Sequence, residues 1–344
     1  MKVITTIPPY APFIGRVAEL PIISGVRLNT VMPVQGVKEG DLPSVESLVT
    51  MLKLIQDQLG GKELWIDLKC RQVRVSHGFF FNPPDEPPKA YKLGDKVVVL
   101  DPSRPKAHGI LKTPPWATLK IDHRIKLDTS RGPVKCWFQD GYDSAHIVEV
   151  IDGDTLIMLE GPKKVVGGGE SINIMDPSFE VEGYFTELDR RYIEAAVRLD
   201  IHTFMLSYVE QDSDIQEMLK LDPKAIIKAK IESPKGFEWA CRRIADFPKV
   251  GLMAARGDMY VEFGRPDKIL RPLSVIAAMD SDAIVASRIL TSLRHGPRPT
   301  CSDVMDVQCL LQMGYKHIMV GDDICFDEDV LMLALDILSA IDRG

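Results

Sequence analysis

Short apolar segments alternate with amphipathic helical stretches along most of this chain of 344 residues. Eight of the apolar segments have the length and composition of buried parallel strands. They are Val3–Ile7, Gly25–Asn29, Leu64–Leu68, Thr203–Ser207, Ile226–Glu232, Gly251–Ala255, Ala283–Ser287 and His317–Gly321. Helical patterns follow most of them, for instance at Ser44–Leu59, Glu187–Leu199, Pro266–Met279, Ser302–Met313 and Glu328–Ile341. The alternation predicts an α/β fold, a (β/α)8 TIM barrel, with a doubly wound open sheet as the alternative.

The stretch 75–170 interrupts this alternation. It is rich in proline and contains short β-like runs, such as Val134–Phe138, that are separated by turn signals. We predict a small all-β domain inserted after the third strand, so that 1–74 and 171–344 form the barrel. A glycine-rich return at 161–169 would let this cap hinge over the barrel mouth and exclude water.

Composition narrows the classes of function. The net charge of −7, without a basic block, argues against nucleic acid as the main partner. No apolar run approaches transmembrane length, and the N-terminus lacks the organisation of a signal peptide. The six cysteines are scattered without a Cys-x-x-Cys pair, which is typical of reduced thiols. We therefore expect a cytoplasmic protein without a membrane or nucleic-acid partner.

Charged residues concentrate at the ends of the fifth and sixth predicted strands. Lys230 and Glu232 point the same way at the end of one strand, and the next strand runs into Arg256, Gly257 and Asp258. Structural salt bridges are the simpler interpretation, but buried charge is costly unless it is paired or bound to a metal. So much charge at one sheet edge favours a functional site.

Other strands bring polar side chains to the same barrel mouth, where the active sites of such barrels form. The second strand ends with Arg27 and Asn29, the third contains Asp67, with Arg74 soon after it, and the seventh ends at Ser287. The two arginines suit phosphate, because a planar guanidinium matches its geometry.

The carboxylates suggest a hard metal ion. Glu232 and Asp258 suit Mg²⁺ or Mn²⁺, which take few protein carboxylates and fill their other positions with water and substrate oxygens. Lys230 beside them suits proton transfer or neutralisation of a transferring group. Backbone amides at Arg256 to Asp258 suit a substrate carboxylate. The set predicts a 2-oxo acid or its enol phosphate as substrate.

These residues lie in segments that resemble the pyruvate kinase family. Ala229–Glu232 resembles the family's Ser-Lys-Ile-Glu, and Met253–Asp258 its Met-Val-Ala-Arg-Gly-Asp. Pro297–Thr300 looks like its Pro-Arg-Pro-Thr, Val26–Asn29 is similar to its Ala-Arg-Leu-Asn, and Asp67–Lys69 to its Asp-Thr-Lys. The resemblance covers nearly the whole chain, and the fold it implies is a barrel with a β cap.

The resemblance implies a role for each matching position. Lys230, which would stabilise the phosphoryl group in transit, and Arg27, which would contact phosphate, are the implied catalytic residues. The implied metal ligands are Glu232 and Asp258. The implied substrate-binding residues are Arg256, Gly257 and Ser287. The implied nucleotide-binding residues are Arg74, Asn29 and Lys164, although another alignment places Glu170 where the first places Lys164. Asn29 and Asp67 match two ligands of the family's monovalent cation.

Departures from the family pattern affect the cation and nucleotide side. Val31 replaces a cation-ligand hydroxyl, Met32 replaces a nucleotide-site histidine, and Leu68 replaces a threonine counted as a cation ligand. Gln72 stands where the family has glutamate, or lysine in its potassium-independent members. After the eighth strand, Asp322–Ile324 replaces Gly-Glu-Thr. We therefore expect a damaged K⁺ site.

Three hypotheses follow. The first is a pyruvate kinase-like phosphotransferase that moves a phosphoryl group between phosphoenolpyruvate and ADP. The second is a metal-dependent enolate enzyme without a nucleotide, a decarboxylase or aldolase, since Glu232–Gly236 also resembles the Glu-Thr-Pro-x-Gly of metal-dependent pyruvate aldolases. The third is a non-catalytic protein. The predicted eighth helix ends with the chain, so we expect no regulatory C-terminal domain and a homodimer through the barrel.

Overall fold

Parallel strands close into a barrel, which confirms the fold predicted from the apolar pattern. The computed structural model describes residues 1–38, 41–77, 90–93, 96–99, 116–159, 161–162 and 166–343. The barrel strands are Lys2–Thr6, Ile23–Asn29, Glu63–Leu68, Thr203–Leu206, Ile226–Ile231, Val250–Ala255, Ile284–Ala286 and His317–Val320. They follow chain order around the ring, and the last pairs with the first in the register Lys2 to His317.

Helices pack against the outer face of the barrel. They are Ile14–Ala18, Val45–Gln56, Glu187–Arg198, Asp212–Leu221, Pro234–Arg243, Arg256–Glu262, Leu270–Met279, Cys301–Gln312, Asp322–Cys325 and Glu328–Arg343. The side chains of Ser44, Thr186 and Ser233 accept backbone hydrogen bonds at helix starts, as capping residues do. The predicted helix Pro266–Met279 begins as a 3-10 turn, Pro266–Ile269. None of the described helices is both long and apolar enough to cross a membrane.

Strand alternation divides the core into two layers. Inward side chains such as Trp65, Met253 and Met319 fill the barrel, whereas outward ones such as Leu68 pack beneath the helices. Because alternate residues share a face, Asp67 lies on the inner side, one layer nearer the C-terminal mouth than Trp65. The apolar layer therefore forms a floor beneath the polar residues of the mouth.

A second, antiparallel sheet is inserted between the third and fourth barrel strands. In spatial order its described strands are Ile172–Ile174, Val134–Phe138, Asp143–Ile151, Thr155–Leu159, Trp116–Ile121 and Val75–His77. Two further strand pairs join Ile125–Lys126 to Glu180–Val181 and Ala90–Leu93 to Lys96–Val99. Buried residues such as Leu119, Phe138 and Ile147 give the sheet a core of its own. The domain boundaries at 75 and 170 stay a prediction, as does the homodimer.

Candidate active site

A cavity of about 970 Å³ opens at the C-terminal ends of the barrel strands and also touches the second sheet. It is lined by the residues that the sequence analysis proposed on five barrel strands. These are Arg27, Asn29, Asp67, Arg74, Lys230, Glu232, Gly257, Asp258 and Ser287. Glu170 also lines it, whereas Lys164 lies outside the described residues. The barrel thus brings together side chains that are far apart in the chain.

Lys230 is buried on the cavity floor among acceptors. Its Nζ donates to Ser207 Oγ at 2.8 Å and lies 3.0 Å from Glu232 Oε1 and 3.3 Å from Asp67 Oδ1. Burial alone would lower the pKa of Lys230, but the carboxylates of Asp67 and Glu232 outweigh it and raise that pKa above its ordinary value. Lys230 is therefore positively charged in the folded protein, and a charged ammonium cannot accept a proton.

Glu232 and Asp258 form a carboxylate pair suited to a cation. Glu232 is 1% exposed and accepts from the backbone N of Tyr208 at 2.7 Å. Burial raises the pKa of Glu232 to about 8, and Asp258 adds to the rise while Lys230 opposes it. A divalent ion would relieve this cost. In the described part of the chain no three His, Cys, Asp or Glu residues are grouped to hold a metal. Mg²⁺ takes few protein carboxylates and fills its other positions with water and substrate oxygens.

Asp258 is oriented by donors from three elements. Gln72 Nε2 donates to its Oδ2 at 3.0 Å, and Asn173 Nδ2 and Tyr208 OH each lie 3.1 Å from its Oδ1. Asn173 and Tyr208 also bond Glu262 Oε1 at 2.9 and 3.3 Å, and burial raises the pKa of Glu262 to about 7. Asn173 lies on the second sheet, so the cap helps to hold a carboxylate of the barrel. Sequence reasoning missed these partners of Asp258, because no motif marks them.

Arg27 is held between two carboxylates. Its Nε and Nη2 lie 2.8 and 2.6 Å from Asp67 Oδ2. Its Nη1 donates to Thr6 Oγ1 and Asp322 Oδ1, each at 2.9 Å. The other oxygen of Asp322 accepts from Asn29 Nδ2 at 2.9 Å. Sequence reasoning placed Asp322 at a strand end but gave it no role, since the contact joins opposite ends of the chain.

Arg74 is fixed at the junction of barrel and cap. Its guanidinium donates to Gln72 Oε1 and to a carbonyl of the cap's return segment, and its backbone N donates to Asp122 Oδ1 at 2.9 Å. Asp122 also pairs with Lys69 and lies 2.7 Å from His123 Nδ1. Burial would raise the pKa of Asp122, but His123 and Lys69 outweigh it and lower that pKa to about 2.

Arg256 supports the site from behind instead of facing the cavity. Its Nη2 donates to the carbonyls of Ser287 and Arg288 at 2.8 and 3.2 Å, and its Nη1 pairs with Asp306 at 2.8 Å. Ser287 and Arg288 have φ of 71° and 57°, a left-handed conformation that costs energy in residues with side chains. The Arg256 side chain therefore stabilises a strained turn, and the binding of a substrate carboxylate by backbone amides from Arg256 to Asp258 stays a prediction. Gly257, next along the helix, does line the cavity.

The residues expected to alter the cation site differ in whether their side chains face the cavity. Asp67 is engaged by Arg27 and Lys230, which lower its pKa although burial would raise it. The side chain of Leu68 packs in the outer core and not in the cavity, and the expectation that Leu68 removes a cation ligand stays a prediction. Strand alternation would turn a threonine hydroxyl at this position away from the cavity as well. Val31 does line the cavity, and the damaged K⁺ site stays a prediction that rests on it.

Comparison with known proteins agrees with this geometry. The family model "Pyruvate kinase, barrel domain" matches residues 117–325, more than half of the chain. This chain belongs to the pyruvate kinase family. The pyruvate kinase of Borreliella burgdorferi is 25% identical over 273 residues, which cover 76% of this chain and 53% of that protein. That of Methylorubrum extorquens is 30% identical over 142 residues, which cover 40% of this chain and 29% of that protein.

The crystal structure of Cryptosporidium parvum pyruvate kinase has the same fold, with a TM-score of 0.69 at 17% identity. The match covers 99% of this chain and 70% of that one. The chain spans about half, or less, of the length of the curated relatives it matches. Family and fold expected from the motifs are thus confirmed.

Proposed function

We propose that the cavity binds a 2-oxo acid such as pyruvate, or its enol phosphate, on a divalent metal and stabilises the enolate. The observation that carries this is the contact between Lys230 and Glu232, 3.0 Å apart at the cavity floor with Asp258 also lining the cavity. Mg²⁺ or Mn²⁺ held by Glu232 and Asp258 would supply positive charge to two oxygens of the oxo acid.

The chain's own residues then have separate tasks. Lys230, charged in the folded protein, stabilises negative charge that develops on the substrate. Ser287 and the backbone of Gly257 line the place for the substrate carboxylate. The second sheet also touches the cavity, and exclusion of water by this sheet would strengthen each of these interactions.

Phosphoryl transfer between phosphoenolpyruvate and ADP is the reaction that family membership supports. Arg27 and Arg74 both line the cavity and suit phosphate. Lys164 or Glu170 would complete the nucleotide side of the site, and ADP or ATP would be the second substrate.

A nucleotide-free reaction, decarboxylation or aldol chemistry on the same metal-bound oxo acid, is the second candidate. Asp322 favours it, because its carboxylate already occupies Arg27 and Asn29. Enolate chemistry needs only the bound oxo acid and a base, whereas phosphoryl transfer also needs contacts to the nucleotide phosphates.

A coupled assay with phosphoenolpyruvate, ADP and Mg²⁺ or Mn²⁺, with and without K⁺, separates these reactions. Turnover that Lys230→Ala abolishes establishes phosphoryl transfer. Calorimetry that finds Mn²⁺-dependent binding of pyruvate or oxaloacetate, without binding of ADP, favours the nucleotide-free candidate. No binding of Mn²⁺ or oxo acid contradicts both and leaves a non-catalytic protein.

A further inference from the structure

Asp322 takes the position of a ligand on two side chains of the cavity. Its two carboxylate oxygens accept separately, from Arg27 Nη1 and from Asn29 Nδ2, both at 2.9 Å. A phosphate group presents the same kind of acceptor pair to an arginine and an amide. The protein therefore supplies, from the short helix that follows its eighth strand, the anion that this corner of the cavity would otherwise bind.

The charges around Arg27 show why this matters. Arg27 contributes one positive charge and is paired with two carboxylates, those of Asp67 and Asp322. A phosphate that approaches Arg27 would meet a like charge in Asp322 before it met an uncompensated cation. The Asp322 side chain is 40% exposed, so water screens part of this repulsion, but the contact with the buried Arg27 fixes the carboxylate where the phosphate would bind.

The surroundings of Asp322 offer apolar surface on the same side. Val31, Met32 and Phe326 line the cavity there, and Phe326 is 66% exposed. Asp323, the neighbour of Asp322, pairs with Arg294 at 2.8 Å near the rim, where both side chains are well exposed. Asp322 is thus the carboxylate of this turn that reaches the buried arginine.

We propose that Asp322 determines the substrate specificity of the cavity, so that it selects an unphosphorylated 2-oxo acid over the corresponding enol phosphate. This inference rests on the proposed function, since the oxo acid is taken to bind on the Glu232 and Asp258 side. It adds the class of substrate, a carboxylate without a phosphate ester, and the residue that enforces it.

The test is calorimetry on the full chain with Mn²⁺, with pyruvate and phosphoenolpyruvate as separate probes. The variants are Asp322→Asn, which keeps shape and removes charge, and Asp323→Asn, which makes the same charge change at the rim. We expect Asp322→Asn to tighten phosphoenolpyruvate binding about tenfold and pyruvate binding less than twofold. Asp323→Asn should change neither by more than about twofold, because Asp323 pairs with Arg294 and not with Arg27 or Asn29.

Asp322→Gly removes the whole side chain and must reproduce the gain, which guards against a local distortion in Asp322→Asn. Phosphoenolpyruvate affinity within twofold of wild type in both Asp322 variants overturns the inference, and so does an equal gain in Asp323→Asn. Wild-type protein that does not bind pyruvate with Mn²⁺ contradicts the proposed function instead. A gain of phosphoenolpyruvate binding in the Asp322 variants would still support the role of Asp322.

Discussion

On one side of the barrel mouth, Glu232 and Asp258 line the cavity with Lys230 as the nearest buried cation. On the other side, Arg27 lies between Asp67 and Asp322 and has its charge matched within the protein. The first half is short of positive charge, which a metal ion would supply. The second half is already balanced, so an anionic ligand gains less there. A site can lose affinity for phosphate by gaining an acid while it keeps its arginine.

The largest effect should come from removing the positive charge beside the proposed metal ligands. Lys230→Met leaves Asp67 and Glu232 without their shared cation, and we expect loss of turnover and about 3 kcal/mol lower free energy of unfolding. Chemical denaturation and the coupled assay measure the two effects. Lys228→Met is the matched control, because Lys228 lies on the same strand but bonds the carbonyl of Asp282 outside the cavity. Equal losses in both variants would contradict a special role for Lys230.

A smaller effect should follow when the contact between Asn173 of the second sheet and Asp258 of the barrel is removed. Asn173→Ala takes one donor from Asp258 Oδ1, and we expect Mn²⁺ affinity to fall about tenfold, as for other residues that orient metal ligands. Calorimetry with Mn²⁺ measures this, with Glu149→Ala on the same sheet as the control. Unchanged Mn²⁺ affinity in Asn173→Ala would show that the cap does not orient Asp258.

The sequence predicted the residues of one half of the barrel mouth better than those of the other half. The barrel followed from alternating apolar segments, and Lys230, Glu232 and Asp258 from their strand-end positions and motifs. The contacts of Asn173 with Asp258 and of Asp322 with Arg27 join residues 85 and 295 positions apart, which local patterns do not encode. The orientation of the Arg256 side chain could not be predicted from the sequence either, because the turn that it supports follows the next strand.

Asp122, which accepts a hydrogen bond from the backbone of Arg74, allows the contacts around that arginine to be tested by changing pH. Its pKa falls from 3.8 to about 2 on folding, so its contribution is present above about pH 4 and is lost as pH falls toward 2. We expect Asp122→Asn to lower the free energy of unfolding at pH 7 by about 2 kcal/mol. The difference from wild type should vanish near pH 2.

Denaturant titrations between pH 2 and 7 measure this difference. Asp154→Asn is the control, since Asp154 pairs with Lys120 near the surface of the cap. A difference between Asp122→Asn and wild type that does not depend on pH would mean that the Asp122 carboxylate is not held by Lys69 and His123 as the structure shows.

The smallest effect should come from restoring a hydroxyl to the cation site. Val31→Ser adds one neutral ligand beside Asn29, but Asn29 stays bonded to Asp322, and Asp67 to Arg27 and Lys230. We therefore expect K⁺ to change turnover by at most about fivefold, which is what one hydrogen bond is worth. Val34→Ser controls for the new hydroxyl. Strong K⁺ activation of the wild-type protein would show that the cation site is intact and would contradict this prediction.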